Sequence, residues 1–170
     1  MPKSLFVFSL MTLLVPAAYG APAQNKCTAA EYHRLDFWVG DWDTFNPDGS
    51  GPSQAHNRVT SILEGCVIHE VYDQYDGHRG ESFSIYDVTR KLWHQSWVTN
   101  RGELLVMEGR FEGDSLTLVG SNLDLQGKPQ TIKGIWKRQG NGVRETAYIS
   151  RDGGKTWAPD FDILFLPHKG

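Results

Sequence analysis

Short segments in which apolar and polar residues alternate follow one another along most of the chain. They are rich in Val, Ile, Thr, Phe, Tyr and Trp, and glycine occurs in most of the polar stretches between them, which is typical of β-strands joined by tight turns. The pattern predicts strands over residues 37–45, 56–63, 67–75, 81–87, 92–99, 104–111, 115–121, 130–137, 143–150 and 160–166. A short helical turn is predicted over residues 28–34, where Thr28 can cap the first turn.

No segment long enough to be a helical crossover separates these strands, so neighbours in sequence are expected to pair antiparallel. An open sheet of so many strands would expose unpaired edges, whereas a sheet that closes on itself has none. The sequence therefore predicts an all-β fold, an up-and-down antiparallel β-barrel of about ten strands preceded by a short N-terminal helical turn.

Residues 1–20 have the composition of a secretory signal peptide. Lys3 is followed by an apolar stretch over residues 5–15, and Ala18 and Gly20 place small residues at the positions that determine cleavage. We therefore expect a single domain over residues 21–170 and a periplasmic or secreted location. The apolar stretch is shorter than the ~20 residues that a transmembrane helix needs, and no later segment is uniformly apolar, so no membrane span is predicted.

Charge and motif content exclude several classes of function. The formal net charge is −3 and the basic residues are scattered, which argues against a nucleic-acid partner. Phosphate-binding glycine loops, nucleophile elbows and zinc-binding helices are absent, and the 6 histidines are dispersed, so neither a cofactor nor a metal site is expected. A small-molecule ligand is the partner that these patterns favour, and they leave the oligomeric state open.

The chain contains 2 cysteines, Cys27 and Cys66, and both follow the predicted cleavage site. An oxidising compartment favours joining them, so we expect one disulfide; two buried free thiols are the alternative. On the chain-entropy account, closing this loop of roughly 40 residues stabilises the fold by about 4 kcal/mol.

Gly40 and Trp42 form a Gly-x-Trp motif in the first predicted strand, similar to the opening of lipocalin-like (calycin) barrels. More widely, the chain resembles the DUF1579 family of small exported bacterial proteins, a lipocalin-like group. The resemblance rests on five ordered blocks, residues 36–42, 63–70, 80–87, 93–98 and 150–157. It implies a barrel with a central cavity, in which the glycine permits a tight bend and the tryptophan plugs one end. It implies no catalytic residues.

The last of these blocks also matches the Asp-box pattern Ser-x-Asp-x-Gly-x-Thr-Trp, which is found on propeller hairpins. A propeller would repeat the pattern, and this chain contains it once. Asp152 is expected to accept hydrogen bonds from turn amides, and Gly153 and Gly154 to adopt positive φ, so we predict a structural hairpin.

Candidate interior residues follow from the alternation within each strand. In the strand over residues 92–99, Trp93, Gln95 and Trp97 share one face, which would form a ligand-binding wall with flat apolar contacts and one polar anchor. Alternatively, both tryptophans fill the core and Gln95 satisfies a neighbouring strand.

The strand over residues 67–75 leaves its inward face open. Glu70 and Tyr72 share one face, and the opposite face is apolar apart from His69. If Glu70 and Tyr72 point inward, burial would raise the pKa of Glu70 and suit its carboxyl group to proton transfer or to pairing with a cationic ligand. If they point outward, Glu70 is an ordinary surface carboxylate.

Arg144 is the remaining candidate for the ligand-binding set, near the start of a late strand. It would pair with Glu70 inside the barrel, stack on Trp42 at the barrel end, or contact the ligand directly.

Three functional hypotheses remain. The favoured one is an exported barrel that encloses a small, partly apolar molecule. The second is an enzyme of isomerase, hydratase or hydrolase type that uses Glu70 as general acid or base, because one fold can host both binding and catalysis. The third is a protein-interaction module without a pocket, which would expose an aromatic patch.

Overall fold

The computed structural model describes residues 27–170, so the predicted signal peptide, residues 1–20, lies outside the described residues. The strands are β1 Gly40–Phe45, β2 Ala55–Ile62, β3 Val67–Gln74, β4 Arg79–Asp87, β5 Leu92–Thr99, β6 Leu104–Glu112, β7 Ser115–Leu123, β8 Pro129–Gln139, β9 Gly142–Ser150 and β10 Ala158–Pro167. Short 3₁₀ helices occupy Ala30–His33, Asp36–Trp38 and Leu63–Gly65, and the first of them is the predicted N-terminal helical turn.

Every strand pairs antiparallel with its neighbours in sequence, and β10 returns to pair with β1. The closing ladder places Trp42 opposite Pro167 and Phe45 opposite Leu164. Closure satisfies the backbone groups that an open sheet would leave at its edges. The predicted all-β, up-and-down antiparallel barrel is therefore confirmed.

The chain enters the barrel through a tight turn rather than along an extended strand. The predicted first strand starts too early, because Asp36–Trp38 forms a 3₁₀ helix and β1 begins only at Gly40. This turn buries the Trp38 ring, which packs on Trp136 and Phe165 at centroid distances of 6.0 and 6.3 Å. Trp38 thus closes one end of the barrel.

Gly40 makes room for the ring of Trp42. A Cβ atom at Gly40 would lie 2.5 Å from that ring, and Nε1 of Trp42 donates a hydrogen bond to the Trp38 carbonyl oxygen at 2.9 Å. The backbone of Gly40 is not in the positive-φ region. The glycine of the Gly-x-Trp motif therefore serves this close approach rather than the tight bend that the resemblance implied.

The hydrophobic core fills the end of the barrel next to Trp38. Its members are buried apolar side chains drawn from most of the strands: Leu35, Trp38, Trp42, Val59, Ile68, Trp93, Met107, Leu116, Leu118, Trp136, Val143 and Phe165. Side chains from neighbouring strands interdigitate here because alternate residues of each strand face the axis.

Cys27 and Cys66 form the predicted disulfide, with a Cα–Cα distance of 5.1 Å. It joins the segment before the Trp38 turn to the connection between β2 and β3. The two residues are 39 positions apart, for which the chain-entropy account gives about 4 kcal/mol of stabilisation. The disulfide thereby holds the segment that closes the barrel end.

The turn between β9 and β10 has the predicted Asp-box structure. Asp152 accepts hydrogen bonds from the Ser150 hydroxyl group at 2.7 Å and from the backbone N–H groups of Lys155 and Thr156 at 3.0 and 2.9 Å. The two glycines that follow Asp152 have φ angles of 71° and 88°. The motif is therefore a structural hairpin in this barrel.

Candidate functional site

Beyond the core the barrel encloses a cavity of about 360 Å³. Apolar side chains form most of its wall: Trp97, Leu105, Met107, Ile132, Trp136, Ala147, Phe161, Ile163 and Phe165. Its polar lining consists of Gln54, Glu70, Tyr72, Gln74, His78, Gln95 and Glu145. Gln54 and His78 directly precede β2 and β4, so the cavity extends from the core to the rim opposite Trp38.

The face of β3 that carries Glu70 points inward. Glu70 is 5% exposed and lines the cavity with Tyr72. Its cross-strand neighbours, Val59 on β2 and Ser82 on β4, are also buried. On the other face His69 contacts a surface carboxylate and the Val71 side chain is 40% exposed, so this face points away from the barrel axis. The contacts with neighbouring strands therefore show that Glu70 and Tyr72 point inward, which the sequence alone left open.

A short chain of hydrogen bonds orients the Glu70 carboxyl group. The Ser82 hydroxyl group donates to Oε2 of Glu70 at 2.8 Å, and Nε2 of Gln95 donates to the Ser82 oxygen at 3.4 Å. Burial raises the pKa of Glu70 to about 7, and the hydrogen bond from Ser82 opposes part of that rise. The Asn57 carboxamide lies beside this carboxyl group, but its polar atoms do not have the geometry of a hydrogen bond.

Glu145 provides a second carboxyl group in the cavity and was not among the site residues predicted from the sequence. It lies on β9 opposite Trp136 of β8 and Ile163 of β10, which also line the cavity. Burial, together with repulsion from the negative charge of Glu70, raises the pKa of Glu145 well above its usual range. The signal in the sequence was the alternation Val143, Glu145, Ala147, in which two small or apolar residues flank the acid on one face.

Arg144 does not take the position that the sequence suggested. It lies on the outer face of β9, and its Nε donates to Oδ1 of Asp162 at 2.8 Å while Nη2 donates to Oδ2. The predicted ion pair with Glu70 and the predicted stacking on Trp42 are therefore wrong, and Arg144 is not among the residues that line the cavity. Successive side chains of a strand point to opposite faces, so Arg144 points outward because its neighbour Glu145 points into the barrel.

The residues predicted to form a ligand-binding wall on β5 lie at different depths along the barrel axis. Gln95 and Trp97 line the cavity, and the Tyr72 ring meets Trp97 edge-on at a centroid distance of 6.1 Å. Trp93 lies on the same face but deeper, packed on Tyr86 and on an aromatic ring of β6 within the core. Trp93 is thus structural, whereas Gln95 and Trp97 face the space in which a ligand would lie.

Two glycines keep indole rings against the wall of the cavity. A Cβ atom at Gly80 would lie 2.2 Å from the Trp97 ring, and one at Gly134 would lie 2.7 Å from the Trp136 ring. Gly134 and Trp136 repeat the Gly-x-Trp spacing of β1. Each ring lies over its glycine instead of projecting into the cavity, so these glycines contribute to the open volume.

Titration of Tyr72 is also affected by the two carboxyl groups. Burial raises its pKa to about 12, and the charges of Glu145 and Glu70 act in the same direction. Tyr72 therefore remains a neutral hydroxyl group at physiological pH, able to donate one hydrogen bond and to accept others.

Within residues 27–170, no three His, Cys, Asp or Glu side chains are grouped so as to hold a metal ion. The same range contains no helix that is long and apolar enough to cross a membrane. A scan against models of known protein families and a search of curated proteins found no match for this chain. The resemblance to the DUF1579 family therefore stays a prediction.

Proposed function

We propose that this protein binds a small, partly apolar molecule inside the barrel, after export to a periplasmic or secreted location. The cavity carries the proposal, because its volume of about 360 Å³ falls in the range of roughly 300–1,000 Å³ of small-molecule sites. The Cys27–Cys66 disulfide supports an oxidising compartment. Membership of the DUF1579 family, with its exported lipocalin-like barrels, is part of the same proposal.

The wall of the cavity supports a ligand with an apolar body and one polar group. Trp97 and Trp136 offer large flat surfaces, and burying a ligand against them removes apolar area from water. Glu70, Ser82 and Gln95 lie on three consecutive strands, β3, β4 and β5. The Ser82 hydroxyl group links the Glu70 and Gln95 side chains, so their polar groups converge on one region. Such convergence fixes the orientation of a ligand.

A thermal-shift and tryptophan-fluorescence screen with lipophilic metabolites tests this proposal. Ala147 is buried and lines the cavity, so Ala147→Phe fills part of the open volume, whereas Thr146→Phe on the opposite face of β9 leaves it open. We expect ligands found with the wild type to lose affinity for Ala147→Phe and to keep it for Thr146→Phe. Equal binding to both variants would place the ligand outside the barrel and refute the proposal.

A second candidate function is catalysis by Glu70. Its pKa of about 7 means that the carboxyl group both donates and accepts a proton near neutral pH, which suits a general acid or base. For any substrate that the wild type converts, Glu70→Gln should abolish turnover and leave substrate binding intact. Unchanged turnover would reject this role. The third hypothesis required a barrel without a pocket, so the cavity favours the first two.

A further inference from the structure

The charges that face the cavity are unbalanced. Glu70 and Glu145 reach it from β3 and β9, and no lysine or arginine is among the described residues that line it. Arg144, next to Glu145 in sequence, is paired with Asp162 on the outside. His78 is at the rim, where its Nε2 lies 3.9 Å from a carboxylate oxygen of Glu103. Protons or a bound cation are therefore left to neutralise the two interior carboxyl groups.

We propose that the cavity takes an organic monocation, an amine with an aromatic or aliphatic body, whose ammonium group is held by Glu70 and Glu145. This inference rests on the proposed binding function and names the chemical class of the ligand. An ammonium group neutralises one ionised carboxylate, while a proton neutralises the other carboxyl group. It also donates hydrogen bonds in several directions, which matches two oxygen-bearing groups on different strands. The body of the amine packs on the apolar wall, whose aromatic rings also attract cations.

The same geometry disfavours the other ligand charges. An anionic ligand such as a fatty acid would place a third acidic group near the two that line the cavity, with no basic side chain of the described lining to receive it. With a neutral ligand, only bound protons would neutralise the two carboxyl groups. The amine is the class that satisfies the polar part and the apolar part of the cavity together.

Binding of an amine is linked to protons. In the free protein, burial raises the pKa of Glu70 to about 7 and that of Glu145 well above its usual range, so the pair retains protons near neutral pH. A bound ammonium group favours the ionised carboxylates, so binding releases protons. The affinity for the amine therefore increases with pH, approaching about tenfold per pH unit for each proton released.

The other groups that face the carboxyl pair do not reverse this trend. Tyr72 on β3 has a pKa of about 12 and stays neutral. His78, between β3 and β4, lies at the rim of the cavity beside Glu103. The remaining neighbours are uncharged: Asn57 on β2, Ser82 on β4, Gln95 on β5, Trp136 on β8 and Ile163 on β10.

Three probes of one shape test the inference with the full chain: 2-phenylethylamine, 2-phenylethanol and 3-phenylpropanoate. Isothermal titration calorimetry between about pH 6 and pH 8 measures their affinities and the protons released. We expect the amine to bind at least about tenfold more tightly than the alcohol at the upper pH, and to lose this preference at the lower pH. The alcohol should bind with the same affinity throughout.

Glu145→Gln is expected to remove most of the preference for the amine and its pH dependence, while the alcohol still binds. Glu81→Gln is the matched control, because Glu81 contacts His69 on the outer face. Thermal unfolding verifies that both variants are folded, and the pH profile of the wild type tests the inference without any substitution. Tighter binding of the alcohol or the propanoate than of the amine at every pH overturns the cation inference alone. Absence of saturable binding by all three probes at millimolar concentration counts against the binding function as well.

Discussion

Glu70 should make the free protein less stable as the pH rises towards neutrality. In the unfolded chain its carboxyl group titrates near the ordinary value of 4.5, whereas burial raises the pKa in the folded barrel to about 7. Between these two values the folded state holds more protons than the unfolded state, so the free energy of unfolding falls with increasing pH. Below about pH 4.5 the group is protonated in both states and has no effect, and above about pH 7 the full penalty is present.

The size of this effect follows from the two pKa values. One pKa unit corresponds to about 1.4 kcal/mol, so the difference between 4.5 and about 7 amounts to about 3 kcal/mol of lost stability once Glu70 is ionised. Because Glu70 is 5% exposed, solvent screening removes little of this penalty. The negative charge of Glu70, added to burial, raises the pKa of Glu145 in turn.

Glu70→Gln tests this reasoning, because glutamine has a similar shape and does not ionise. Urea unfolding under non-reducing conditions, from about pH 5 to pH 8, gives the free energy of unfolding of both proteins. We expect the stability of the variant relative to the wild type to increase across this range by up to about 3 kcal/mol. Carboxylates whose pKa is lowered on the surface, such as Asp87, contribute equally to both proteins and cancel in the difference.

Glu108→Gln is the control with the opposite sign. Hydrogen bonds from His94 and Arg90 lower the pKa of Glu108 on the outer face, so this acid stabilises the fold more as it ionises. Relative to the wild type, Glu108→Gln should lose stability as the pH rises through the acidic range. A Glu70→Gln difference that is constant from about pH 5 to pH 8 would refute the assignment of a raised pKa to Glu70.

Three further predictions concern residues that stabilise the barrel and keep its cavity open. Replacing both cysteines of Cys27–Cys66 by serine should lower the free energy of unfolding by about 4 kcal/mol, and a reducing agent should destabilise the wild type but not this variant. Gly80→Ala should push the Trp97 ring into the cavity, which lowers probe affinity and costs about 1–3 kcal/mol of stability in urea unfolding. Asp152→Ala should lower the Tm because turn amides lose their acceptor, whereas Lys155→Ala, which keeps that acceptor, should not.

Most of the fold could be predicted because alternation and turn chemistry are local properties of the sequence. The strand Leu92–Thr99 has the bounds that the pattern predicts, and most other strands differ by a few residues at their ends. The error at β1 has a physical cause. Two aromatic residues before Gly40 have a strand-like composition, but they form a 3₁₀ turn because Trp38 fills the barrel end.

The site was predicted in part, because alternation gives the face of a residue and not its depth along the barrel axis. Trp93 and Trp97 share a face, yet Trp93 belongs to the core and Trp97 lines the cavity. On β9 Arg144 was the predicted site residue, although Val143 and Ala147 indicated that the acid between them, Glu145, points inward. The pKa of Glu145 is raised by burial and by the charge of Glu70, and both depend on strands distant in sequence, so no local pattern contains this shift.

Glu70 takes part in both amine binding and acid catalysis as proposed here, but the two functions predict opposite pH dependences. Both acids lower the stability of the free barrel at neutral pH, a cost that uncharged amides of similar shape would avoid, so their presence in the cavity is better explained by a function than by folding. A bound ammonium group requires an ionised carboxylate in the pair, so its affinity increases with pH. A general acid requires the protonated form of Glu70, and its rate decreases as the pH rises above about 7. The sign of the pH dependence, measured on the wild type, therefore distinguishes amine binding from acid catalysis at the same two residues.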